Sequence, residues 1–236
     1  LDNLKEEKAG VVQNTKWKLK QIGKNWYLGE TLHAGIGQGY FLSTPLQLCL
    51  MTAQLANGGF KINPRIVVDE NDQANNLQKY LDFRKKNPNN QNSIDLEVFN
   101  FNLQPLFRNQ ENINFVKDSM FAATNEAGGT SYGSRHRDKK FIFAGKTGSS
   151  QIKRFSEAQR EAEVKQSDIT YKERDHAWFI AFAPVKEPKY AISVLVEHGG
   201  SGSSAAAPVA KKIIKKIIER HEIRNVSTNK KLGENI

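Results

Sequence analysis

Residues Phe141 to Gln151 read F-I-F-A-G-K-T-G-S-S-Q. The opening run, rich in Phe and Ile, predicts a buried strand. It closes on Lys146-Thr147-Gly148, followed by two further hydroxyls at Ser149 and Ser150. A cation, hydroxyls and bare backbone on one strand edge make a receptor for a carboxylate. Lys146 offers a point charge and Thr147 a directional hydrogen bond. Gly148 lets another backbone approach closely. The same G-K-T ends a phosphate-binding P-loop, but that loop requires Gly where this chain has Lys140, and no helix-forming run follows Thr147. A bare K-T-G also arises by chance in a chain rich in Lys and Gly, so its surroundings decide the reading.

Downstream, the charged stretch 153–174 is nearly free of large apolar residues and is expected to be an exposed excursion. His176 to Pro184 predicts a second buried strand. Glu187-Pro188-Lys189 marks a turn, and Tyr190 to Val196 the antiparallel partner. Gly199 to Ser204 reads as a flexible link. Ala205 to Glu219 reads as an amphipathic helix, with Ile213, Ile214, Ile217 and Ile218 apolar and lysines opposite. Residues 222–236 are polar and are expected to be a disordered tail.

Upstream, residues 1–30 read as polar and irregular, anchored by Trp17, Trp26 and Tyr27. The alternate glycines Gly35, Gly37 and Gly39 predict a tight turn. Thr44-Pro45 starts a helix, with Thr44 as cap, Pro45 in the first helical position and Gln47 in the capping-box slot. That helix is apolar on most sides and is expected to lie buried, ending at Asn57-Gly58-Gly59. Residues 69–110, rich in Asn, Gln and Lys, read as a polar insertion. Glu111 to Asn125 predicts another helix, closed by Gly128-Gly129. Helices, three strands with short or exposed connections and a covering helix predict an α+β fold, an antiparallel sheet packed against helices. One domain is expected over 1–221.

The chain has 236 residues and a net charge of +10. That length buries one substantial core. No apolar run is long enough to span a membrane, and no signal peptide opens the chain. The first residue is Leu rather than Met, as expected of an excerpt from a longer chain. The positive charge admits nucleic acid or an anionic surface as partner. Much of it, however, lies on Lys211, Lys212, Lys215 and Lys216 and on residues 135–140, which read as solvated faces without interleaved aromatics. Nucleic-acid binding is therefore not expected. The single Cys49 excludes an internal disulfide and reads as a small buried hydrophobe. The five His are scattered and no H-E-x-x-H occurs, so no metal site is expected.

Taken in order, these pieces resemble the transpeptidase domain of the class B penicillin-binding proteins. K-T-G is one of that group's three motifs. The other carrying stretches are Trp26-Tyr27-Leu28-Gly29-Glu30-Thr31, Gly35-Ile36-Gly37-Gln38-Gly39-Tyr40, Thr44-Pro45-Leu46-Gln47, Ala56-Asn57-Gly58-Gly59 and Gly129-Thr130. They continue with His176-Ala177-Trp178-Phe179, Phe182-Ala183-Pro184 and Gly199-Gly200-Ser201-Gly202. The set spans about residues 10 to 221 in the family's order. One departure is decisive. The family's S-x-x-K and S-x-N motifs precede G-I-G-Q-G, and neither occurs in residues 1–42. Ser150-Gln151-Ile152-Lys153 and the tail's Ser227, with Asn229 and Lys230, match by spacing only. Neither sits on a rigid helix start facing the strand edge.

The resemblance implies acyl transfer through a serine ester. The Ser, outside this chain, attacks the D-Ala-D-Ala carbonyl of a peptidoglycan stem peptide, and its neighbouring Lys takes the proton. An amine of a second stem peptide resolves the ester as a cross-link, and β-lactams mimic the dipeptide. By the same resemblance, Lys146 supplies charge beside the substrate carboxylate and shares a proton network. Thr147 and Ser149 bind that carboxylate, Gly148 leaves room, and the Ser149 backbone N–H is one oxyanion donor. No cofactor is implied. The resemblance further implies an N-terminal membrane anchor outside this chain and a catalytic domain on the periplasmic side of the bacterial inner membrane. Elongation-type members pair with a membrane glycosyltransferase. This part alone is expected to be inactive and marginally stable. A serine β-lactamase, a β-lactam sensor or a basic non-catalytic binding module remain the alternatives. His176 reads as a strand residue with its polar tip satisfied rather than as an acid–base group.

Overall fold

The computed structural model describes residues 8–62, 64, 106–152 and 168–233. The expected insertion over 69–110 lies outside these residues except for 106–110, and the excursion over 153–174 except for 168–174. The chain divides into two compact units, Leu1–Leu48 and Cys49–Ile236.

The second unit is built on a three-stranded antiparallel sheet in the order β1 (Ala144–Ser150), β2 (His176–Ala183), β3 (Tyr190–Val196). β2 and β3 fall where the sequence predicted them. β1 begins only at Ala144, because Lys139–Phe141 form a 3₁₀ turn capped by Asp138, whose side chain accepts from the Lys140 N–H. In register, Lys146 faces Ile180, Gly148 faces Trp178 and Ser150 faces His176.

β2 reads as an unbroken apolar run because helices cover both faces of the sheet. Phe179, Ala181 and Ala183 point to one face and pack with Phe143, Val194 and the C-terminal helix. That helix, α5 (Ala207–Gly233), contributes Ala207, Ala210, Ile214 and Ile218 at helical spacing. Burying each isoleucine contributes roughly 1.5–3 kcal/mol. α5 runs on to Gly233, so residues 222–233 are helical rather than the expected disordered tail. On the opposite face Phe182 and Ala144 pack with Ala56 and Met120.

Met120 belongs to α4 (Gln110–Asn125), where Asn109 caps the first turn by accepting from the Glu111 N–H. The connection after β3 also departs from expectation. Gly202–Ala206 form a π-helical turn with Gly202 and Ala206 buried, not a flexible link. Small side chains are what allow this segment to press against the sheet. Cys49 is half-buried rather than buried. Its thiol donates to the Ala191 carbonyl, and burial pushes its pKa up.

The first unit contains two short helices, α1 (Thr15–Ile22) and α2 (Leu28–Gly35), where the sequence suggested irregular chain. A buried charge holds them together. Lys18, only 2% exposed, donates to Glu30 Oε2 at 2.6 Å and to the Asn25 carbonyl at 2.7 Å. The turn after α2 has Gly37 and Gly39 at positive φ, as the alternate glycines predicted. α3 (Pro45–Ala56) starts with the expected capping box: Thr44 N–H donates to Gln47 Oε1 and Gln47 N–H to Thr44 Oγ1. The expected burial of α3 does not hold. Only Thr52 and Ala56 are buried, while Leu46 and Met51 stay more than a third exposed. Leu48, Leu50 and Leu55 are half-buried.

Candidate active site

The K-T-G residues lie on β1, whose outer edge pairs with no strand among the described residues. Gly145, just before Lys146, directs both backbone groups away from β2. Its N–H donates to Thr124 Oγ1 at 3.1 Å, and its carbonyl accepts from the same hydroxyl at 3.2 Å. Backbone direction alternates with a period of two in an antiparallel ladder, so Thr147 and Ser149 turn their N–H and C=O to the open edge as well. Glycine is required at 145, since a Cβ there would meet a Phe179 ring carbon at 2.4 Å and the Ile180 carbonyl at 2.7 Å.

Lys146, Gly148, Ser149 and Ser150 are exposed. Lys146 Nζ donates to the Thr147 carbonyl at 3.0 Å and lies 3.5 Å from Thr147 Oγ1. Thr147 Oγ1 in turn donates to Thr130 Oγ1 at 3.2 Å. An ammonium and two hydroxyls thus converge at the strand edge, a donor set matched to a carboxylate. Thr130 is a functional candidate that sequence reasoning assigned no role. The signal was present in Gly129-Thr130, but its partner lies seventeen residues away in sequence.

The end of α4 places Thr130. Gly129 turns tightly there, because a Cβ would meet the Ala123 and Ala122 carbonyls at 2.5 and 2.6 Å. The next residue, Ser131, is buried and donates to the Ala123 carbonyl at 3.0 Å, 3.3 Å from Thr124 Oγ1. Thr124 and Ser131 therefore pin the helix end to the strand immediately before the cation.

At the other end of the strand, Ser149 Oγ donates to the Gly200 carbonyl at 3.4 Å. Gly148 is covered from one side by Gly202: a Cβ on Gly202 would meet the Gly148 carbonyl at 2.8 Å and the Trp178 carbonyl at 2.4 Å. His176 Nδ1 accepts the His198 backbone N–H at 2.9 Å. Asp175, buried just before β2, accepts the Gly200 N–H on its carbonyl at 2.8 Å. Of the two spacing matches to S-x-x-K, Ser150 lies on β1 and Lys153 outside the described residues. Ser227 lies on α5, remote in sequence from the K-T-G strand. Among the described residues no group of three His, Cys, Asp or Glu side chains is placed to hold a metal ion.

The chain belongs to the penicillin binding protein transpeptidase domain family, whose model matches residues 2–215. It is 30% identical over 212 residues to the peptidoglycan D,D-transpeptidase MrdA of Salmonella typhimurium, an alignment covering 90% of this chain and 31% of that protein. To MrdA of Acinetobacter baumannii it is 32% identical over 210 residues, covering 88% of this chain and 28% of the relative. The chain thus spans less than a third of the length of these relatives. Among solved structures, penicillin-binding protein 2 of Helicobacter pylori in complex with MreC superposes with a TM-score of 0.66 at 30% identity, covering 91% of this chain and 32% of that one. Penicillin-binding protein 2 of Pseudomonas aeruginosa in complex with WCK 5153 gives 0.61 at 29% identity, covering 91% and 39%.

Proposed function

We propose that this chain is the substrate-binding part of a peptidoglycan D,D-transpeptidase that cross-links stem peptides through a serine acyl-enzyme. The observation that carries this reading is the open β1 edge, where Lys146, Thr147 and Thr130 converge beside the bare backbone of Gly148. A D-alanyl stem peptide laid along that edge presents its terminal carboxylate to the Thr147 and Ser149 hydroxyls, with the Lys146 ammonium supplying compensating charge. Gly148 leaves room for the peptide backbone.

The scissile carbonyl then lies beside the Ser149 N–H, which stabilises the oxyanion of the tetrahedral intermediate. One such donor contributes about 3 kcal/mol. The attacking serine and the lysine that takes its proton are proposed to come from a part of the protein outside this chain, with the serine N–H as second oxyanion donor. The serine ester forms as the terminal D-alanine leaves, and the amine of a second stem peptide displaces the serine. β-Lactams enter the same edge and leave a slow ester.

For the whole protein we further propose an N-terminal membrane anchor, a catalytic domain on the periplasmic face of the inner membrane, and a partner glycosyltransferase of the elongation machinery. An MreC-type partner is also proposed, by similarity to the Helicobacter pylori complex. Among the described residues no helix is long and apolar enough to cross a membrane.

Intact-mass analysis after incubation with a penicillin tests the assignment, comparing this chain with one that carries a complete transpeptidase domain. Only the longer chain is expected to gain one penicillin mass. A gain by this chain itself would place the nucleophile within it, at a residue such as Ser150. Slow loss of the adduct supports a transpeptidase, whereas rapid hydrolytic turnover supports a β-lactamase.

A further inference from the structure

His176 opens β2 opposite Ser150, next to the strand that carries the candidate site. Its Nδ1 accepts the backbone N–H of His198 at 2.9 Å, so the ring proton sits on Nε2. His198 has φ of 55°, a left-handed conformation that a non-glycine residue adopts only when its surroundings hold it there. Four contacts hold it: the bond to His176, the edge of the His176 ring at 4.9 Å between centroids, the tilted Tyr171 ring at 5.2 Å, and its own Nδ1, 3.3 Å from the Arg174 carbonyl.

That backbone turn directs the next two residues. Gly199 is pressed against the sheet, where a Cβ would meet Val196, Ala177 and Ala205 side chains at 2.9–3.1 Å. Gly200 follows at φ 76°. Its N–H donates to the Asp175 carbonyl, and its own carbonyl accepts the Ser149 hydroxyl. Two residues of backbone therefore separate the His176 acceptor from the atom that orients Ser149.

We propose that His176 is a positioning residue: by accepting the His198 N–H it sets the Gly199-Gly200 turn that holds the Ser149 hydroxyl at the substrate edge. The inference rests on the transpeptidase reading, in which that hydroxyl binds the substrate carboxylate. The 3.4 Å bond from Ser149 to Gly200 is long. An incoming carboxylate, a stronger acceptor, takes the proton donation over without further movement of the strand. His176 itself touches no substrate.

Two substitutions in a chain carrying the complete domain separate the acceptor from the ring. His176→Asn keeps an acceptor atom near the Nδ1 position and discards the ring. His176→Phe keeps a ring against His198 and discards the acceptor. The Asn variant is expected to react with penicillin within about threefold of the parent, and the Phe variant to lose roughly tenfold, the worth of one hydrogen bond. The loss should appear in the half-saturating penicillin concentration rather than the limiting acylation rate. Amide exchange of the peptide spanning 197–202 should quicken in the Phe variant and not in the Asn variant. Equal losses, or a Phe variant that behaves as the parent while Asn fails, overturn the proposal. If the parent takes up no penicillin, the transpeptidase reading fails. The exchange comparison then decides alone, and unchanged exchange in the Phe variant overturns the role of His176.

Discussion

Replacing Gly202 by Ala adds one methyl group to a residue that makes no contact with substrate in the proposed complex, yet it should damage the site. The added Cβ would lie 2.4 Å from the Trp178 carbonyl oxygen, 2.8 Å from the Gly148 carbonyl oxygen and 3.1 Å from the Gly148 nitrogen. The first of these falls about 1 Å short of an ordinary carbon–oxygen contact. All three neighbours are backbone atoms of the paired strands β1 and β2, so no side chain can swing aside. Either the π-helical turn lifts off the sheet or the K-T-G strand moves outward by several tenths of an ångström. Overpacking of this kind costs about 1–3 kcal/mol of stability. A displacement approaching 1 Å at a substrate-positioning strand lowers reactivity by up to about a hundredfold. The assay is the second-order rate of acylation by a fluorescent penicillin, measured on a chain with the complete domain, beside its thermal transition. Acylation within about threefold of the parent, a difference smaller than one hydrogen bond, would refute the view that Gly202 backs the K-T-G strand.

Thr147→Val removes the hydroxyl proposed to bind the substrate carboxylate, and the acylation rate should fall by roughly 10- to 100-fold, as for a charge-assisted hydrogen bond; an unchanged rate would remove Thr147 from the site. Thr124→Val strips the partner from both the N–H and the carbonyl of buried Gly145, costing about 1–3 kcal/mol for each group left unpaired. A lowered melting temperature in Thr124→Val, with Thr130→Val close to the parent, would distinguish anchoring from substrate contact. In the first unit the Lys18 ammonium, followed by the Tyr27 N–H, holds the Glu30 carboxyl below the usual carboxylate range. A depressed folded value means the contribution is present above the ordinary value of 4.5 and is lost as pH falls through the lower folded value. Acid titration followed by Trp17 and Trp26 fluorescence should show a transition below pH 4.5 that Glu30→Gln abolishes; a transition unaltered in that variant would sink this account.

Much of the sheet was legible in the sequence. β2 and β3 are apolar runs bounded by Pro and charged turn residues, and their short length and β-branched and aromatic content mark them as strands. The α3 cap was equally plain, because a capping box is satisfied within four residues. The K-T-G strand, with its cation and hydroxyls, could be read directly; the close backbone approaches that require glycine at 145 and 202 could not. α1 and α2 could not. Each is eight residues long, too short to be helical on intrinsic preference, and what joins them is the buried Lys18–Glu30 pair across twelve residues. The partners of Thr130 and Thr124 and the His176–His198 bond were not legible either, because each joins residues far apart in the chain. Composition and spacing determined which strand offers a cation, hydroxyls and bare backbone. Only the tertiary structure decided which edge is open, which helix end is pinned beside the lysine, and which turn backs Gly148, because those facts rest on hydrogen bonds and contacts between residues far apart in the chain.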